Sequence, residues 1–66
     1  VKENPKKAFE MFKKAAERGD VDCMRMTGDC YALGSGVKQN RDEAMRWYRI
    51  AAENGDMDSR EMMENY

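Results

Sequence analysis

VKQNRDEAMRWYRIAAENGD, residues 37–56, restates VKENPKKAFEMFKKAAERGD, residues 1–20. The offset is 36 positions. Carried on, it lays residues 1–30 over 37–66, and 11 of those 30 pairs are identical. Among the matches are Asn4, Ala8, Ala15, Ala16, Gly19 and Asp20, which are residues of caps, small contacts and turns. A fixed period of this length marks an array in which one supersecondary unit recurs and each copy covers its neighbour's apolar face. The chain holds one full unit, 1–36, and most of a second, 37–66.

Each unit reads as two helices. Asn4 and Asn40 stand where an N-cap side chain accepts from the first free backbone N–H groups. Pro5 follows Asn4 at the first helical position, where its missing N–H costs nothing. Glu43, three residues after Asn40, has capping-box spacing. Gly19 and Gly55 supply the left-handed residue that ends each first helix. Asp20 and Asp56 then cap the next helix with almost no loop between, and Gly34-Ser35-Gly36 stops the second helix near Leu33.

Steps of 100° per residue divide the first helix cleanly. Ala8, Phe9, Met11, Phe12, Ala15 and Ala16 fill one half of the wheel, and Lys6, Lys7, Glu10, Lys13, Lys14, Glu17 and Arg18 fill the other. The third helix repeats the division with Ala44, Met45, Trp47, Tyr48, Ala51 and Ala52 inside. One residue breaks it: Ile50 stands on the charged arc. The second helix has an equally wide face in Cys23, Met24, Met26, Thr27, Cys30, Tyr31 and Leu33. Faces this wide exceed a two-helix seam, so each helix is expected to touch more than one neighbour. In the fourth segment Ser59, Arg60 and Glu64 replace Cys23, Met24 and Gly28. Gly costs about 1 kcal/mol against Ala inside a helix, so Gly28 is expected to serve close approach of another helix. Glu64 forbids that approach, and the fourth helix is expected to face solvent and close the array. The first unit begins within an inter-unit loop, which reads as a cut through a longer solenoid.

Composition agrees with a small helical unit. The chain has 66 residues, 12 Lys and Arg, 13 Asp and Glu, and no His. A chain near 60 residues hides only about 60% of its unfolded surface, so one small domain is the limit. Leu, Ile, Val and Phe number only 7, a share low enough to raise disorder. Seven Met and seven Ala offset that shortage, and the net charge is only −1. Both residues are strong helix formers. Without His, imidazole chemistry and the commonest metal ligand are missing. No apolar run is long enough to span a membrane.

The run from Gly19 to Asp56 resembles the Sel-one-like repeat, a relative of the tetratricopeptide repeat. Gly19, Gly28, Tyr31, Gly34, Gly36, Val37, Ala44, Trp47, Tyr48, Ala51, Ala52 and Gly55 fall on that family's pattern. The Gly-x-Gly-Val loop followed by Ala-x-x-Trp-Tyr-x-x-Ala-Ala is its most specific part. Departures are Val21 and Cys23 at small-residue positions, Thr27 for the usual Leu, and Met11-Phe12 for Trp-Tyr. The resemblance implies an all-α superhelix of antiparallel helix pairs whose concave side, lined by first helices, binds other proteins. It implies adaptor and scaffold roles. A cysteine-rich branch of the family bridges its two helices, but the matching position here is Ala16.

Local chemistry offers little else. Cys23 and Cys30 lie seven apart on one helix, about 10.5 Å at 1.5 Å per residue, too far for a disulfide. Two soft ligands alone make a poor zinc site. The carboxylates sit at caps or on polar arcs, not in a cleft that would shift their pKa values. Gly34-Ser35-Gly36 lacks the Lys-Ser/Thr of a phosphate loop. Neither catalysis nor a cofactor is expected, and most of the seven methionines are expected to fill core. The first helices remain, because equivalent positions stack across the repeat. Lys6, Glu10, Lys13, Arg46, Arg49 and Ile50 are expected to share a protein-binding surface for acidic or extended segments. Ile50 is either a chance apolar residue there or its anchor. A non-binding structural cap and an RNA-binding helical repeat are the alternatives, and near-neutral charge counts against nucleic acid. Self-association through the open N-terminal edge is a further expectation.

Overall fold

The computed structural model describes residues 4–64, apart from the side chain of Met62. Four helices follow in order: α1 (Pro5–Glu17), α2 (Val21–Leu33), α3 (Arg41–Glu53) and α4 (Met57–Glu64). There is no strand among the described residues.

One turn makes both hairpins. Arg18 caps α1, and Gly19 follows at φ 103°. The Gly19 N–H donates to the Ala16 carbonyl at 3.0 Å and the Asp20 N–H to the Ala15 carbonyl at 3.1 Å, the paired bonds of a Schellman motif. Asp20 is also the N-cap of α2, its carboxylate accepting from the Cys23 N–H at 3.2 Å. A single residue therefore closes one helix and opens the next. Gly55 and Asp56 make the same two bonds to Ala52 and Ala51, both at 3.0 Å.

The longer connection folds back on α2. Gly34 ends that helix in the left-handed region, the Gln39 side-chain amide donates to the Ala32 carbonyl at 2.8 Å, and the Asn40 N–H donates to Tyr31 O at 2.9 Å. Gly36 is laid on the start of α1: a Cβ there would lie 2.1 Å from the Pro5 carbonyl oxygen. Asn4 and Asn40 cap α1 and α3 as expected, accepting from Lys7 and Glu43 N–H groups. The reciprocal half of the capping box is absent, because Tyr31 already takes the Asn40 N–H. The Glu43 carboxylate turns instead to Arg46, 3.5 Å away.

Packing runs in chain order, α1 on α2, α2 on α3 and α3 on α4, with α2 and α3 the most closely fitted. The centre is Ala16, Met24 and Ala51, with Val21, Cys23, Trp47 and Ile50 half-buried around it. Gly28 is the tightest point. A Cβ there would stand 2.7 Å from the Tyr48 ring and 3.2 Å from the Ala44 carbonyl. The approach that Gly28 permits is thus made chiefly by a ring. Tyr48 is fully buried, and its hydroxyl donates to Asp29 at 2.5 Å. Phe9 and Tyr31 close the other hairpin edge to face, centroids 5.2 Å apart. Thr27, in the place of the usual Leu, is fully buried with its hydroxyl donating to the Cys23 carbonyl at 2.7 Å.

Two residues assigned to the apolar faces lie outside. Met11 is 69% exposed and Leu33 is 78% exposed. Leu33 ends α2, beyond the reach of the helix beside it. Met11 occupies the position of Trp47, which packs because α1 and α2 precede it; α1 has no such neighbour among the described residues. α4 sits on α3 through Ser59, fully buried with its hydroxyl donating to Asp56 at 2.7 Å, and through half-buried Met63. Its other side, with Met57, Arg60, Glu61 and Glu64, is exposed.

Candidate functional site

The polar arcs of α1 and α3 carry two shallow grooves. The first, about 430 Å³, is lined by Phe9, Glu10, Lys13, Lys14 and Glu17. The second, about 290 Å³, is lined by Asp42, Met45, Arg46, Arg49 and Met63. Phe9 and Met45, Glu10 and Arg46, and Lys13 and Arg49 are partners at the 36-residue offset. The helix repeat thus places three equivalent positions in both grooves, an apolar floor and a cation matching while Glu10 and Arg46 differ in sign; Met63 of α4 walls the second groove alone.

Of the six residues singled out by sequence, Lys6, Glu10, Arg46 and Arg49 are exposed and Lys13 is half-exposed. Glu10 and Lys13 share the first groove, and Arg46 and Arg49 share the second. Lys6 lines neither. Among the described residues Lys6, Lys13 and Arg49 make no ion pair, whereas Arg46 is engaged by Glu43. Ile50 is half-buried against Ala16, Met24 and Ala51, so its apolar character already has an intramolecular use. The wheel could not show this, since it has no representation of the neighbouring helices. Met45 and Phe9, the groove floors, carry only a core pattern in the sequence. The signal that finds them is their shared repeat position beside a cation.

Cys23 is half-buried and Cys30 is buried. Burial, with help from Asp20 and Asp22, raises the Cys23 thiol above its ordinary pKa. Burial and then Asp29 raise Cys30. Both are free, and among the described residues no three His, Cys, Asp or Glu side chains converge to hold a metal ion. No helix of the described chain is long and apolar enough to cross a membrane.

A family model, the Sel1 repeat, matches residues 1–20 and 21–56. Its second match runs from the start of α2 through α3, the closely fitted pair joined by the Gly34–Gly36 loop. No curated protein and no solved structure gives a significant match to the chain. Sel1 repeats are in general non-catalytic modules for protein interaction and scaffolding. With four stacked helices and a matched pattern over most of its length, the chain belongs to the Sel1 repeat family.

Proposed function

We propose that the chain recognises a partner protein on the face formed by α1 and α3, taking an extended segment across the two grooves. Lys6, Glu10, Lys13, Arg46 and Arg49 are the polar contacts, and Ile50 contributes the apolar seam between the two helices. The observation that carries the reading is that three equivalent repeat positions line both grooves, Phe9–Glu10–Lys13 and Met45–Arg46–Arg49. Lys13 and Arg49 form no ion pair among the described residues, although Glu10 and Glu17 share the groove of Lys13 and Asp42 that of Arg49. The occupant therefore carries acidic side chains one groove apart, with small apolar groups between them.

Titration of a set of extended acidic peptides into the chain tests this. Lys13→Glu with Arg49→Glu is expected to lower the affinity at least tenfold and to leave stability within about 0.5 kcal/mol, as for exposed positions. Equal binding by wild type and variant would dismiss the face. Ile50→Asp is unsuitable as the main variant, because it would also unpack the centre of the fold.

A structural cap is the second reading, favoured by the outer side of α4. That side offers Arg60, Glu61 and Glu64 to solvent where α2 offers Met24 and Gly28 to α3.

A further inference from the structure

Asn54 is the only asparagine of the chain that precedes a glycine: Asn4 precedes Pro5, Asn40 precedes Arg41 and Asn65 precedes Tyr66. A glycine nitrogen has no Cβ beside it, so nothing shields it from the amide carbon of an asparagine before it. The pair lies in the turn between α3 and α4, and both residues are exposed to water. Apart from chain neighbours, no atom stands within 4 Å of the place a Gly55 Cβ would take. The first hairpin has Arg18 before Gly19 at the same turn, with no amide to attack.

The closed turn keeps the two reacting groups apart. Asn54 caps α3 with ψ 11°. At that angle the Gly55 nitrogen eclipses the Asn54 nitrogen and points away from the side chain. The Gly55 N–H donates to the Ala52 carbonyl at 3.0 Å, and the Asp56 N–H donates to the Ala51 carbonyl at 3.0 Å. The Asn54 amide donates to the Ile50 carbonyl at 2.8 Å and lies 3.9 Å from the Met24 sulfur. Reaction therefore waits for the turn to open. α4 makes such opening easy, because Met57 is 69% exposed and the hold of α2 on the turn is the Arg25 Nε, 3.2 Å from the Asp56 carboxylate.

We propose that Asn54 is a site of self-modification through a succinimide with the Gly55 nitrogen, withheld while the turn is closed, and that the isoaspartate so formed releases α4. The Gly55 nitrogen gives up its proton and bonds to Asn54 Cγ. The Cγ–Nδ2 bond breaks, and Nδ2 leaves as ammonia with that proton. Water then opens the ring. Attack at Cγ leaves an aspartate in an ordinary chain, whereas attack at the main-chain carbonyl carbon leaves the peptide running through Cβ and Cγ. The second product puts one extra carbon between the Ala51 and Ala52 carbonyls and the N–H groups bonded to them, so the turn cannot keep both bonds. Either product removes the donor to Ile50 and sets a carboxylate at the negative end of the α3 dipole.

The test ages the full chain in mildly alkaline buffer, native and in urea, and follows aspartate and isoaspartate at position 54 by peptide mapping with mass spectrometry. In urea, conversion at Asn54 should outrun that at Asn4 and Asn40. Folding should slow it by about tenfold or more, since attack waits on local opening. Arg25→Gln, or low urea should that variant fail to loosen α4, should speed the native rate in step with the loss of amide-exchange protection in α4. The purified isoaspartate product should lose protection in α4 while α2 and α3 keep theirs, and Asn54→Asp, which supplies the charge alone, should lose less. Asn54→Arg, a copy of Arg18, should age without any such loss. Equal rates in buffer and urea would overturn the proposal. So would a loosened α4 with an unchanged rate, full α4 protection in the isoaspartate product, an Asn54→Asp chain equally loose, or loss of protection in aged Asn54→Arg.

Discussion

Gly28 is the position at which one added carbon decides the fit of α2 on α3. Ala there gains about 1 kcal/mol of helix propensity. It also brings a Cβ to 2.7 Å from the buried Tyr48 ring, and overpacking of this kind costs about 1–3 kcal/mol. Tyr48 cannot swing away without leaving Asp29, so the steric cost wins. Gly28→Ala is expected to lower the melting temperature by several degrees, and an unchanged or higher midpoint would contradict the packing. The thiols give a second residue-scale prediction. With both pKa values raised, thiolate is scarce at neutral pH. Both cysteines should react with a disulfide reagent more slowly than a free thiol, buried Cys30 more slowly than half-buried Cys23. Their rates should still be climbing above the ordinary thiol pKa. The same sign means that this contribution to stability is present at neutral pH and is lost as pH rises through the raised values. Fast, pH-flat labelling of the folded chain would rule the placement out. At this scale the role of Gly28 was legible from a glycine mid-helix, while Ile50 was not. A wheel records the direction of a side chain from its own axis, and what lies there depends on the next element.

Helix by helix, the boundaries were legible because their chemistry is local. Asn4, Asp20 and Asn40 accept from N–H groups three residues on, and Gly19, Gly34 and Gly55 hold the positive φ that each stop requires. The Glu43 side chain escaped this logic, since its capping role depends on an N–H that the distant Tyr31 carbonyl takes. α4 is the element held least by apolar contact. Met57 is 69% exposed, and Ser59 fills a buried position with a hydroxyl. What anchors its start is polar. Arg25 of α2 places Nε 3.2 Å from the Asp56 carboxylate and Nη1 4.0 Å from Asp29. Asp56 in turn accepts from Ser59, and Asp29 accepts from Tyr48. The Arg25 Nε lacks hydrogen-bond geometry to any partner, so its hold on Asp56 is ionic rather than directional. Arg25→Gln is expected to release α4 locally, lowering its hydrogen-exchange protection about tenfold while α2 and α3 keep theirs, since helices at the edge of a fold open independently. Unchanged protection in α4 would show that Arg25 does not hold it, and uniform loss would show that α4 is no separate unit.

For the molecule as a whole, the decisive information was the 36-residue offset. It told that one hairpin occurs twice before any contact was known, and a Cα radius of gyration of 11.0 Å shows the copies closely stacked. It also misled in one respect. Equal sequence positions do not have equal neighbours in an array, so Met11 lies in water where Trp47 lies against a core, and Glu64 projects where Gly28 is covered. Among the described residues, those two asymmetries leave basic side chains exposed on α1 and charged ones exposed on α4. The pair of grooves on α1 and α3 needed the structure, because Phe9 and Met45 look like ordinary core residues until their exposed margins are seen beside Lys13 and Arg49. The central claim is that the second hairpin lies on the first through the α2–α3 contact, in the same orientation. Inter-residue nuclear Overhauser effects between the Tyr48 ring protons and the Gly28 Hα protons test it most directly. Strong cross-peaks, together with Phe9–Tyr31 ring contacts, are the expected result. A folded, helical chain lacking the Tyr48–Gly28 contacts would contradict it.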